Sequence, residues 1–142
     1  MINLELLKQE LIRDEGIRYS AYQDIYGYWT IGVGRLIDSR KQGKLSPDEV
    51  LYLLTNDLEH CIADIQGEVW YQVCNDTQKR GLLDMRFQLG SEGIQTFKTS
   101  LGLIAARKFA EAGINLRKSL WYRQTPERAE RVIKRIEGTS NG

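Results

Sequence analysis

The residues of this 142-residue chain best suited to chemistry are two carboxylates nine positions apart, Glu15 and Asp24, followed six positions later by the hydroxyl of Thr30. Two carboxyls brought to one cleft suit glycoside hydrolysis, in which one protonates the leaving oxygen and the other activates water or attacks the sugar. The proton donor must keep its proton near neutral pH, and burial beside apolar groups achieves this by disfavouring the charged carboxylate. Its partner has to stay ionised, to face the positive charge developing on the sugar ring. By type alone, the three residues read equally as a helix-end acid, a turn former and an ordinary strand residue.

The flanking pattern says which elements would position them. Leu4, Leu7 and Leu11 recur at helical spacing, joined by Ile12 and preceded by Asn3 as a plausible N-cap, which predicts a short amphipathic helix delivering Glu15. Gly16 can take the left-handed conformation that closes a helix without a Cβ penalty. Aromatic, β-branched and small residues then alternate from Tyr19 to Ile37, with Gly27 where a turn would go, which predicts a small antiparallel hairpin or meander. Asp24 falls in or near its first turn, so folding the ribbon back can bring both carboxylates to one cleft.

The bulk of the chain fits one compact domain or two small lobes sharing a helix. Charged residues at 27%, hydrophobic residues at 42% and a mean hydropathy of −0.43 are ordinary for a soluble globular protein and exclude disordered and fibrous classes. The net charge of +1 hides an asymmetry: residues 1–97 hold 10 Lys or Arg against 15 Asp or Glu, while residues 98–142 hold 10 against 4. A basic C-terminal part can attract an anionic polymer, a bacterial wall or a nucleic acid. Most of those basic residues also fall at helix spacing, as a solvated face would. No helix-turn-helix or RNA-binding signature accompanies them, so no nucleic-acid partner is expected. Cys61 and Cys74 lie outside any CxxC pattern or His cluster, which argues against a zinc site, and no metal or cofactor is expected. The first residues lack a basic start, an unbroken apolar core and a cleavage site, so no secretory signal and no membrane insertion are expected, with synthesis in a host cytoplasm.

The polar run after Ile37 carries Gly43 and reads as a loop. Ser46, Pro47 and Glu49 then supply an N-cap, a first-position proline and a capping-box acid, predicting a long helix to about residue 66. Its apolar face is Val50, Leu53, Leu54, Leu58, Cys61, Ile62 and Ile65, and a helix of that length can connect two lobes. His60, the chain's only histidine, falls off the Leu58, Ile62 and Ile65 stripe with no nucleophile motif beside it and reads as a surface residue. From Asn75 the pattern is helical to the end, punctuated by Gly90, Gly93, Gly113 and Thr125-Pro126, with Thr125 predicted to cap the last helix and a frayed polar tail after it.

Taken together, DEG, YQD and GYWTIGVG in this order resemble the catalytic signature of phage-type lysozymes, glycoside hydrolase family 24, whose best-known member is the endolysin of the T-even bacteriophages. FQLGSEGIQTFKTSL and AGINLRKSLWYRQTPERAERVIKRI are similar to the C-terminal lobe of that family, so the likeness covers about residues 1–37 and 79–136. It implies an α+β, mainly helical two-lobe fold, with a small antiparallel sheet in an N-terminal lobe at about 13–60. The connecting helix would run over about 46–66, and a helical C-terminal lobe over about 67–142 together with residues 1–12. It further implies a monomeric muramidase acting on bacterial peptidoglycan, reaching the wall after membrane permeabilisation. Residue by residue, Glu15 matches the general acid, Asp24 the second carboxylate and Thr30 the residue holding the attacking water, with inversion. Leu36, Phe87, Ser100 and Asn115 match saccharide-groove positions, with Gln88 beside Phe87. Leu36 and Phe87 read equally well as packing residues, and Trp121 and Tyr122 as core support. Arg128 matches an arginine that pairs with the catalytic glutamate.

The likeness has gaps. The segment between Ile37 and Lys79 is shorter than in the T-even endolysin and the tail stops earlier. Arg35 replaces a histidine that pairs with an aspartate there, which puts that ion pair in doubt. A catalytically silent wall-binding module of the same fold is the competing reading, and the joint retention of Glu15, Asp24 and Thr30 argues against it.

Overall fold

The computed structural model describes residues 2–37 and 44–139. The predicted loop around Gly43 and the end of the polar tail lie outside the described residues. Two compact units divide the chain, Met1–Tyr52 and Leu53–Gly142. Among the described residues the fold is α+β and mainly helical, with a three-stranded antiparallel sheet in the first unit and helices alone in the rest of the second. No helix of the described residues is long and apolar enough to cross a membrane.

The first unit opens with α1 (Leu4–Glu15), whose N-cap Asn3 accepts from the Leu6 amide at 3.1 Å. Gly16 ends it at φ 76, ψ 168, a positive φ as predicted but with an extended ψ in place of the helical one. That basin is open essentially to glycine, and it turns the chain straight into the sheet. Strands β1 (Arg18–Gln23), β2 (Trp29–Gly32) and β3 (Arg35–Leu36) form a meander in sequence order. Thr30 pairs with Tyr22 on one side and Leu36 on the other, with a register shift between Arg18 and Tyr22. It is the one buried residue of this unit among the described residues.

Helix α2 (Pro47–Ile65) starts as its capping signal predicts. The Ser46 amide donates to Glu49 Oε1 at 2.8 Å and the Glu49 amide to Ser46 Oγ at 3.3 Å, a reciprocal capping box. Glu49 also forms an ion pair with Arg35. The pair placed in doubt by the loss of a histidine thus has a counterpart here, one that arginine keeps charged at ordinary pH. The Ser46 amide, ahead of the arginine, holds the Glu49 carboxyl below its usual range. Of the apolar face expected on α2, Cys61 and Ile65 are buried, whereas Val50, Leu53, Leu54 and Ile62 are exposed.

The second unit adds α3 (Val69–Gln72), α4 (Asp76–Gln95), α5 (Lys98–Ala105), α6 (Phe109–Leu116), α7 (Leu120–Gln124) and α8 (Pro126–Glu137). Gly90 breaks α4 at φ 81, as its position predicts, and one more helical stretch follows before Thr96. Leu82, Met85, Ile94, Ile104, Val132 and Ile133 form the centre of the core, each at most 1% exposed. Helices α4 and α8 approach closely at Gly81, where an added Cβ would stand 3.1 Å from the Val132 carbonyl oxygen. Beside it, buried Gln78 donates to the Ile136 carbonyl at 3.0 Å.

Three punctuation signals act differently from their prediction, and the first, Gly93, is an ordinary helical residue inside the last stretch of α4. Gly113 lies inside α6, because an added Cβ there would collide with the Glu137 side chain, its Cγ at 2.8 Å. Glu137 and Glu130 in turn hold the Arg117 guanidinium, at 2.6 and 2.9 Å. Thr125 gives α8 no side-chain cap; its hydroxyl donates back to the Trp121 carbonyl at 3.1 Å, and Pro126 starts α8 unaided. Both cysteines are free and buried, and burial pushes the Cys74 thiol up to about 11.

Candidate active site

The catalytic candidates gather around β2. Asp24 closes the β1–β2 turn: its amide donates to the Tyr28 carbonyl at 2.9 Å, and Gly27, at φ 81, donates to the Asp24 carbonyl at 2.9 Å. The Asp24 side chain is held by the same turn, since Oδ1 accepts from the Tyr26 and Tyr28 amides at 2.9 and 2.8 Å. Oδ2 takes no hydrogen bond among the described residues. One oxygen fixes the carboxylate and the other is left for chemistry.

Glu15 is the last residue of α1, and the turn between β2 and β3 lies against its side chain. A Cβ on Gly34 would overlap the Glu15 carboxyl, with Cδ only 2.8 Å away, so the missing side chain makes the space the acid occupies. Within this unit Glu15 is exposed. It has a glycine turn against it, not the apolar side chains that the chemistry of a proton donor calls for. In the sequence Gly34 is marked only as the last glycine of GYWTIGVG, following a strand signature, and the tight return into β3 requires its φ of 60.

Thr30 stands between these two ends, in the central strand. Its hydroxyl donates to the Tyr28 carbonyl at 3.1 Å, and the side chain is 5% exposed. Leu36 is its direct cross-strand neighbour and so shares its face of the sheet, with Tyr22 on the other side. One short meander therefore carries Asp24, Thr30 and Leu36, and its second turn lies against Glu15 at the end of α1.

The remaining candidates belong to the second unit. Ser100 is buried and donates to Asn115 Oδ1 at 2.6 Å, which joins α5 to α6. Gln88 accepts from the indole of buried Trp121 at 3.0 Å and donates to Thr125 at 3.3 Å, so its amide is fixed. Trp121 packs edge-on against Phe97 with ring centroids 5.9 Å apart, the core support its position predicts. Phe87 is 42% exposed and lines an apolar groove of about 340 Å³ with Leu58, Ile62 and Leu83.

Arg128 borders the same groove, and its Nε and Nη2 donate to Asp84 Oδ1 at 3.0 and 2.9 Å. Arg135 donates to Asp84 Oδ2 at 2.8 Å. Asp84 is a residue the sequence reading missed; the signal was two arginines seven apart on α8, which places them on one face. Burial alone would raise the Asp84 carboxyl, yet the bonds from Arg135 and Arg128 outweigh it and hold the group below its usual range. A depressed carboxyl contributes stability above its unfolded value, near 3.8, and that contribution is lost as pH falls through the lower folded value. Asp84→Asn should therefore lower the thermal midpoint at pH 7, by the equivalent of about 1–3 kcal/mol, and by much less near pH 2. A gap of the same size at both pH values would contradict this role.

Comparison with known proteins bears on the chain's family. The phage lysozyme family profile matches residues 13–136. The chain is 32% identical to "Probable T4-type lysozyme 1" of Dictyostelium discoideum, over 95% of this chain and 96% of that one. It is 34% identical to "Pre-baseplate central spike protein Gp5" of Enterobacteria phage T4, over 89% of this chain and 26% of that protein. It is 30% identical to "Peptidoglycan hydrolase gp36" of Pseudomonas phage phiKMV, over 91% of this chain and 15% of the relative. A match of this extent, over the meander and the helical unit alike, makes the chain a member of the phage lysozyme family.

Proposed function

We infer that this chain hydrolyses the β-1,4 bond between N-acetylmuramic acid and N-acetylglucosamine in bacterial peptidoglycan. A phage lysozyme is a glycoside hydrolase, and the finer reading concerns bond, residues and stereochemistry. Glu15 protonates the leaving oxygen. Asp24 and Thr30 place the attacking water, and Asp24 faces the charge developing on the ring. By their likeness to the family's positions, Leu36, Phe87, Gln88 and Asn115 are the saccharide-binding residues, with buried Ser100 acting through Asn115, and Arg128 is the supporting residue. The enzyme acts as a monomer, made in the host cytoplasm and reaching the wall once the membrane is permeabilised.

The observation that carries this reading is the meander itself: Asp24 pinned by Oδ1 at one end of β2, Glu15 against Gly34 at the other, and Thr30 between them. Inversion requires a carboxyl separation of about 6.5–9.5 Å, which leaves room for a water between the sugar and Asp24.

The test is the chemistry of the new ends. Purified peptidoglycan digested by the chain, reduced with borohydride and hydrolysed should yield muramitol in proportion to loss of turbidity. Glucosaminitol would move the cut to the other glycosidic bond, and new amino groups without new reducing ends would overturn glycoside hydrolysis. Binding without any new ends would favour the silent wall-binding module.

A further inference from the structure

The β1–β2 turn carries more apolar surface than its fold requires. Its geometry is set by Asp24 and by Gly27, through bonds from backbone amides alone. The side chains between them take no part, and polar residues are usual in such turns. Yet Ile25 is 90% exposed and Tyr26 is 71% exposed. The bonding of the turn does not require a tyrosine ring in solvent at this point.

Its position does suggest a use. The Tyr26 amide nitrogen is 2.9 Å from Asp24 Oδ1, so the residue bearing the ring and the carboxylate are fixed to one another by a single hydrogen bond. A tyrosine side chain reaches about 6.5 Å from its Cα, a length comparable with one pyranose ring. A glycan strand whose anomeric carbon faces Asp24 Oδ2 across the attacking water passes its neighbouring ring atoms within that reach. The negative face of an aromatic ring attracts the slightly positive C–H face of a sugar, and apolar contact adds to it.

We propose that Tyr26 is a substrate-stacking residue, which binds the C–H face of the glycan strand beside Asp24 and so sets affinity for the saccharide. The proposal rests on the glycoside-hydrolase reading above. A saccharide fits this surface better than a protein partner does: two adjacent side chains fall far short of the roughly 800 Å² per partner that a stable protein interface needs, whereas one ring suffices for one sugar. Continuity with Asp24 places that sugar in the strand being cut.

Soluble, uncross-linked peptidoglycan strands allow KM and kcat to be separated. Tyr26→Ala should raise KM roughly tenfold and leave kcat within about twofold, since it removes binding shared by ground and transition states. Tyr26→Trp should restore KM, and the thermal midpoint should not move in either variant. Tyr19→Ala is the control: Tyr19 is 92% exposed but lies near the other end of β1, about 15 Å away along the strand, and should behave as the native chain. Unchanged KM in Tyr26→Ala, with the native chain active, would overturn the stacking role and leave the hydrolytic reading standing. Equal losses in Tyr26→Ala and Tyr19→Ala would overturn it too, pointing to general adhesion. An inactive native chain would instead remove the reading on which the proposal rests.

Discussion

Gly34→Ala should slow peptidoglycan hydrolysis by about a hundredfold, far more than its effect on stability explains. Two costs arise at this position. The backbone sits at φ 60, which costs an L side chain about 1 kcal/mol. The new methyl also needs the space of the Glu15 carboxyl, whose Cδ would be 2.8 Å away. A contact that close must shift something, and the carboxyl end of a side chain moves more readily than a strand turn. Displacement of a proton donor by about 1 Å can cost a hundredfold in rate. Gly32→Ala separates the two costs. Gly32 has a similar φ of 69 but nothing within 4 Å of an added Cβ, so that variant should lose stability while keeping most of its activity. Rates measured well below both thermal midpoints would show the difference; equal rates in the two variants would remove Gly34 from the site.

What the sequence made legible was local. Asn3, Gly27 and the Ser46-Pro47-Glu49 box each act through a neighbour three residues away and form the cap or turn their types predict, and Gly90 needs only its own positive φ. Gly113 and Thr125 misled for the complementary reason. Gly113 answers to Glu137, on another helix, and a glycine kept for close approach looks the same in sequence as a glycine that ends a helix. Thr125 had two possible partners, the helix ahead and the helix behind, and its hydroxyl bonds the one behind.

The site shows the same division. Residue types and order single out Glu15, Asp24 and Thr30, because the chemistry restricts what can stand there. Their supports were hidden, since each depends on a chain segment distant in sequence or on a backbone group. Two amides hold Asp24 and a glycine turn admits Glu15; in the second unit, Asp84 on α4 likewise binds two arginines of α8. Arg35 illustrates how far a substitution can be read. Its charge ruled out a titrating pair at once, but its partner, Glu49, is a helix-capping residue whose free oxygen only the fold brings near.

The largest effect is expected at Glu15 itself. Glu15→Gln keeps the length and hydrogen-bonding reach of the side chain but has no proton to give to a leaving oxygen. General acid catalysis contributes roughly 10²–10⁴ in rate, and the fold has no stake in the change, since the side chain is exposed at a helix end. The direct measurement is the release of reducing ends from purified peptidoglycan by the native chain and by Glu15→Gln, at equal concentration and with matched thermal midpoints. The result expected is release by the native chain and a rate lower by two to four orders of magnitude in the variant. Equal release by the two proteins would contradict the assignment of Glu15 as the acid.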